Sequence, residues 1–313
     1  MTDILVMGET LVEIMRDKED VQLYEPGVFK GPYPSGAPAI CADAAARLGC
    51  RVALISGVGE DDFGKCILER LEADGVDISH VIQDKYCATG CAFVTYFSDG
   101  SRKFIFHMGN TPAVGAKAPS GEDFCGVKYM HIMGCSLMAN EEFAQEILKT
   151  MNMYAETGTK ISFDPNIRPE LMSGGDTQRI LEEVLNRTSI FLPGREELKS
   201  IMGEIYVEAA VAKCFTYPNM EMVLLKNGSK GSILYTKDGQ VKEFGVYKVE
   251  QVDATGAGDC FDGAFLAGIV QGKSLDEAVK MGAAAGALNA AAFGPMEGQI
   301  SPENIARMMG VPQ

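Results

Sequence analysis

Short apolar runs separated by amphipathic stretches constrain this chain more than any other feature. Runs at 4–7, 52–56, 129–133, 161–164, 190–192, 222–226 and 232–235 read as strands. Helical spacing occupies the intervals at 39–48, 63–73, 141–156, 177–186 and 196–201. Strands alternating with helices predict βαβ units, and therefore a mostly parallel, doubly wound α/β sheet. No repeat, low-complexity tract or linker divides residues 1–313, so one domain with one large core is expected. Two stretches break the rhythm. Residues 10–30 alternate loosely without a good helix, and 88–107 place apolar alternation around Ser98-Asp99-Gly100-Ser101, which predicts a β-hairpin. A hairpin inserted into an α/β core is expected to cover something.

Composition removes several partners. A net charge of −15 opposes nucleic acid or anionic membrane as the main partner. The Ala-rich stretch 283–292 is too short and Gly-broken to span a bilayer, and residues 1–15 lack a basic region ahead of an apolar core. The nine cysteines are Cys41, Cys50, Cys66, Cys87, Cys91, Cys125, Cys135, Cys214 and Cys260. Only Cys87 and Cys91 are close, and their spacing is not that of a zinc or redox pair. Free thiols in a reducing, cytoplasmic setting are the expectation.

The string Asp253-Ala254-Thr255-Gly256-Ala257-Gly258-Asp259 carries the chemistry. Gly256 and Gly258 let backbone N–H groups converge, and the apolar, small-faced segment 261–268 predicts a buried helix whose start adds positive dipole. An anion is the natural guest. Asp259 beside it is electrostatically unfavourable unless it takes a proton from a hydroxyl that attacks a phosphate. As a residue type, Asp also serves as a helix N-cap, and both roles are compatible. Other anion and nucleotide folds fit poorly. The stretch Gly59–Gly64-Lys65-Cys66 has three acids where a P-loop cradles phosphate and Cys66 where Mg²⁺ needs a hydroxyl. Gly8 stands alone where a dinucleotide fold needs several glycines.

The full string resembles the C-terminal signature of the PfkB, or ribokinase-like, carbohydrate kinases, and the resemblance runs over almost the whole chain. It implies a three-layer α/β/α sandwich with a small β-sheet lid built from about 10–34 and 87–109, a lid that often doubles as a dimer contact. It also implies ATP and Mg²⁺ as cofactors, with K⁺ in several members. On this likeness Gly256, Ala257 and Gly258 hold the transferring phosphate and Asp259 is the base. Lys226, Gly228, Gly231, Thr255 and Asn289 fall at nucleotide positions. Glu197 matches a Glu that organises Mg²⁺ through water, although Gly194 stands where Asn is usual. Asp253, with Thr255 and the 289–298 loop, matches the monovalent-cation shell.

At the sugar end the likeness points to Glu13, Gly36, Ala37, His107 and Arg168. Glu13 replaces an Asp that accepts from two sugar hydroxyls, which is sound polyol chemistry. Ser35 and Ile40 replace a Gly and an Asn of the usual motif. Arg168 sits in Asp164-Pro165-Asn166-Ile167-Arg168, as in fructokinase and ketodeoxygluconate kinase relatives. His107 follows the lid aromatics near where ketodeoxygluconate kinases carry an Arg for the substrate carboxylate; without that fork a neutral ketose is expected. The expected activity is ATP-dependent phosphorylation of a primary hydroxyl of a ketohexose of tagatose or fructose type. A ketodeoxygluconate kinase, a ribokinase or nucleoside kinase, and a non-catalytic sugar-binding regulator stay open.

Overall fold

Every residue of the first apolar run is buried, and the computed structural model shows why. It describes residues 2–120, 123, 126–168 and 177–310. In chain order the first half comprises β1 (Ile4–Met7), β2 (Leu11–Arg16), β3 (Phe29–Ser35), α1 (Ala37–Arg47), β4 (Val52–Gly59) and α2 (Asp62–Ala73). Then come β5 (Asp77–Asp84), β6 (Cys91–Tyr96), β7 (Arg102–His107), β8 (Tyr129–Met133), α3 (Gly134–Ala139) and α4 (Glu141–Glu156). The second half continues with β9 (Lys160–Asp164), α5 (Thr177–Arg187), β10 (Thr188–Phe191), α6 (Arg195–Met202), α7 (Val207–Cys214) and β11 (Met222–Lys226). It closes with β12 (Ser232–Thr236), β13 (Val241–Phe244), α8 (Ala257–Val270), α9 (Leu275–Ala290) and α10 (Pro302–Met309).

Nine strands form one sheet in the order β13-β12-β11-β10-β9-β8-β1-β4-β5. All pairings from β11 to β5 are parallel, and β12 and β13 are antiparallel additions at one edge. Ile4 and Val6 of β1 face one hydrophobic cluster, shared with α1, α2, α8, α9 and α10. Leu5 and Met7 face the other, shared with α4, α5, α6 and α7. Burial on both faces is why β1, β4 and β8 read as continuous apolar runs rather than alternating ones. This is the ribokinase-like three-layer α/β/α sandwich. No helix among the described residues is long and apolar enough to cross a membrane. Eight cysteines are free thiols; Cys125 lies outside the described residues.

A second sheet of four strands, β3-β2-β6-β7, is the lid. The expected hairpin is β6 and β7, with Gly100 N–H donating to Phe97 O at 2.8 Å across the turn. β2 joins β6 in parallel and β3 antiparallel. From β1 the chain runs to β4 on one side, and β8 later fills the other, so a crevice opens beyond the strand ends at that reversal. The lid lies over it. Tyr96 of β6 and Arg102 of β7 reach the Thr255 hydroxyl at 3.0 and 3.1 Å, tying lid to body.

Candidate active site

One cleft gathers residues from both ends of the chain. From the first strand–loop–lid passage come Glu9, Glu13, Gly36 and Ala37, and from the second half Arg168, Glu197, Lys226, Thr255, Gly256, Gly258 and Asp259. Gly36 begins α1 at φ 107°, and a side chain there would press on the Glu9 carbonyl at 2.5 Å. Gly256 begins α8 at φ 77°, where a Cβ would meet the Pro295 carbonyl at 2.4 Å. The glycine turn is therefore a steric requirement of the loop that faces the cleft. Asp259 is the third residue of α8, not its N-cap, and sits in the first turn where the helix dipole favours a carboxylate.

Asp259 is buried, and its pKa is pushed up to about 6. Burial is the largest cause, the Asp164 carboxylate adds to it, and Arg168 and Lys226 oppose it. A carboxyl that titrates near neutrality is suited to accept a proton. Its Oδ1 accepts from the Asn166 amide at 2.9 Å. Across the cleft Glu13 is held by the Ser35 hydroxyl at 2.7 Å through Oε1, while Oε2 has no protein partner. Burial raises the Glu13 pKa to about 7, against the Ser35 hydrogen bond. A buried oxygen left without a partner is a place for a ligand hydroxyl.

Lys226 joins two strand ends to α8. Its ammonium pairs with Asp164 at 2.7 Å and with Asp262 at 2.9 Å. Burial disfavours that charge, but the two carboxylates outweigh it and raise the pKa. Lys226 lines the cleft, yet its charge is already neutralised by the protein. Glu197 also lines the cleft, with Oε1 accepting from Ile167 N–H and Oε2 from Gly194 N–H, both at 2.8 Å. Among the described residues no three His, Cys, Asp or Glu converge on a metal position. Mg²⁺ that arrives on a nucleotide keeps phosphate and water ligands, so a single carboxylate reached through water suits it.

Several expected site residues stand elsewhere. His107 is on the outer face of β7, in a separate pocket with Asp61, Phe63 and Thr89. Successive strand residues point to opposite sides, so Arg102, Phe104 and Phe106 line the cleft in its place. Counting back by two from Phe106 would have found Arg102. Asn289 is fully buried and does not reach the cleft; its amide donates to Thr255 O at 2.7 Å and accepts from Gly298 N–H at 3.2 Å. It braces the glycine turn from behind. The Ala257 N–H turns to the Ala254 carbonyl at 3.3 Å, which leaves Gly256 and Gly258 as the members of the glycine turn at the cleft. Gly228 and Gly231 shape the turn after β11 and do not line the cleft. Asp253 lies behind the turn, accepting from Thr255 N–H at 2.9 Å, Gly294 N–H at 3.1 Å and the Tyr96 hydroxyl at 3.3 Å. Glu9, beyond the first strand, was not foreseen; it is buried and accepts from the Ser136 hydroxyl and, at 3.2 Å, from the Cys135 thiol.

A near-neutral carboxylate beside a glycine turn at a helix start, under a lid that can exclude water, is chemistry for moving a phosphoryl group onto a hydroxyl. A family model described as pfkB family carbohydrate kinase matches residues 1–302, and the chain belongs to that family. It is thus a carbohydrate kinase, a phosphotransferase with an alcohol group as acceptor. Among curated relatives, fructokinase-1 of Oryza sativa subsp. japonica is 32% identical over 98% of this chain and 97% of its own length. Fructokinase-2 of Solanum habrochaites is 33% identical over 88% of this chain and 84% of its own. An Escherichia coli protein provisionally called ribokinase II, solved with ATP and Mg²⁺, is 36% identical with a TM-score of 0.92, covering 99% of each chain.

Proposed function

We propose that residues 1–313 form one kinase domain that transfers the γ-phosphate of ATP to a primary hydroxyl of a ketohexose of fructose or tagatose type. The observation that carries the sugar end is the unpartnered, buried Glu13 Oε2, which faces the same cleft as Asp259. In this reading Asp259 takes the hydroxyl proton and Glu13 engages two neighbouring hydroxyls. Gly256 and Gly258 meet the incoming phosphate, and Arg168 steadies the phosphate or the sugar. Thr255 and Lys226 face the nucleotide from within the cleft, and the turn of Gly228 and Gly231 meets the part of it that extends outside. Mg²⁺ bound to ATP would neutralise phosphate charge, with Glu197 holding its waters; K⁺ beside Asp253 and the 289–298 loop completes the proposed set. Likeness to plant fructokinases supports the ketohexose.

A coupled ADP-release screen over fructose, tagatose, psicose, ribose, ketodeoxygluconate and nucleosides tests this directly. Turnover confined to ketohexoses is expected. Silence across the panel with ATP still bound favours a sugar-binding regulator instead. Glu13→Ala is expected to raise KM for the sugar by roughly 10-fold or more, the loss of hydrogen bonds to a carboxylate, with KM for ATP little changed. Equal effects on both would remove Glu13 from the sugar site.

A second reading, a sugar acid such as ketodeoxygluconate, is favoured by Arg102, whose guanidinium stands in the cleft where the sequence put a histidine. Arg102→Leu separates the two. If the sugar is neutral, all acceptors lose efficiency by a similar factor as the contact to Thr255 is lost. If it is an acid, KM for the acid rises selectively.

A further inference from the structure

Asn166 is buried yet held at φ +36°, in the left-handed region that few non-glycine residues occupy. Two hydrogen bonds to carboxylates hold it there, besides a longer contact of its amide to the Met133 sulfur at 3.8 Å. Its main-chain N–H donates to Asp164 Oδ1 at 3.1 Å, and its side-chain amide donates to Asp259 Oδ1 at 2.9 Å. Asp164 is gripped in turn by Lys226, which also grips Asp262, one turn beyond Asp259 on α8. The contacts therefore run from α8 through β11 and β9 and return to α8, with Asn166 as the closing link. Nothing in the proposed chemistry uses this amide directly.

We propose that Asn166 is a positioning residue, holding one oxygen of Asp259 so that the other, Oδ2, meets the attacking sugar hydroxyl. The proposal rests on Asp259 being the base. The same N–H favours the ionised carboxylate, because a donor to a charged acceptor stabilises that form. Asp259 is otherwise faced by Asp164 of β9, Lys226 of β11, Arg168 beyond β9 and Glu9 beyond β1. Glu13 of β2, the thiols of Cys41 on α1 and Cys135 on α3, and the neighbouring Cys260 also lie within its electrostatic reach. None of these other groups hydrogen-bonds Oδ1 among the described contacts, so the amide sets its direction.

Asn166→Gly is the discriminating variant, since glycine accepts the left-handed backbone but removes the amide. With the best acceptor from the sugar panel, kcat is expected to fall by roughly 10- to 100-fold, the scale for a displaced reacting group, while both KM values change little. The carboxyl ¹³C titration of Asp259, assigned by its absence in Asp259→Asn, is expected to move upward by about one unit as the donor is lost. That readout needs no turnover. Asn166→Asp, nearly isosteric, should also raise the midpoint by adding a like charge, and it decides the matter if the glycine variant does not fold. An unchanged midpoint and kcat in either folded variant would overturn the proposal and leave Asn166 as a turn residue. Full turnover in Asp259→Asn would instead overturn the assignment of the base, so the two failures are distinguishable.

Discussion

Asp259→Asn is expected to lower turnover by about 10³-fold, within the range for loss of a general base, and at the same time to stabilise the fold. The first effect follows from position: the carboxylate lines the cleft at the start of α8 and is isosteric with the amide that replaces it. Sugar affinity should change little, because Glu13 and the rest of the proposed sugar face remain. The second effect follows from the raised pKa of about 6, caused first by burial and then by Asp164. A folded-state pKa above the unfolded value means that the protonated carboxyl contributes stability at low pH. That contribution is fully present below the unfolded value and is lost as pH rises through about 6. Near pH 7 the ionised group therefore costs roughly 1–3 kcal/mol, and the neutral amide avoids it. Thermal melts at that pH should show a gain of a few degrees. In the parent enzyme the opposite consequence is expected in kinetics: kcat/KM should fall as pH drops through about 6, because the proposed base becomes protonated. Substantial turnover in the variant, or an acid limb far from that value, would contradict the role.

Lys226→Met is expected to be the most destabilising single change in the site. The substitution leaves Asp164 and Asp262, both buried, facing each other without their shared cation. Breaking a buried ion pair in this way costs on the order of 3–5 kcal/mol, far more than removal of a surface pair. The deficit against the parent should shrink as pH falls, since burial already pushes the Asp262 carboxyl well above the usual carboxylate range and a proton on it relieves the repulsion. Denaturant unfolding at a neutral and an acidic pH measures this. The double change Lys226→Met with Asp262→Asn should recover part of the loss, because only one carboxylate then needs compensation. If Lys226→Met unfolds at the parent's midpoint, the lysine is not the clamp its contacts describe. Activity should fall with it, as Asp164 also holds the Asn166 backbone.

Particular elements show why parts of this were legible beforehand. The boundaries of β1, β8 and β11 coincide with the apolar runs, because these strands lie in the sheet interior with both faces packed. β5 and β13 escaped notice for the converse reason. They are edge strands, with polar residues at exposed positions, and carry little hydrophobic signal. At the site, the glycine turn and Asp259 were visible because they are contiguous and each residue type has a local physical consequence. His107 was expected at the site and Arg102 was passed over, although both sit on β7, five residues apart and on opposite faces. That parity becomes certain only when the register against β6 is known. Asn289 had the right location for a loop contact and the wrong orientation, since its amide is consumed by Thr255 and Gly298.

By itself, the sequence determined the layered α/β architecture, the covering hairpin and the pairing of a glycine turn with a carboxylate. Those properties rest on periodicity and on neighbours a few residues apart. Only the tertiary structure decided which side chains share the cleft and in what charge state. Lys226 meets Asp164 across 62 residues and Asp262 across 36, and Asn166 meets Asp259 across 93. Burial then moves Asp259 and Glu13 toward neutrality. Electrostatic work in a buried cleft depends on distance and on exclusion of water, and neither is written in the order of residues along a chain.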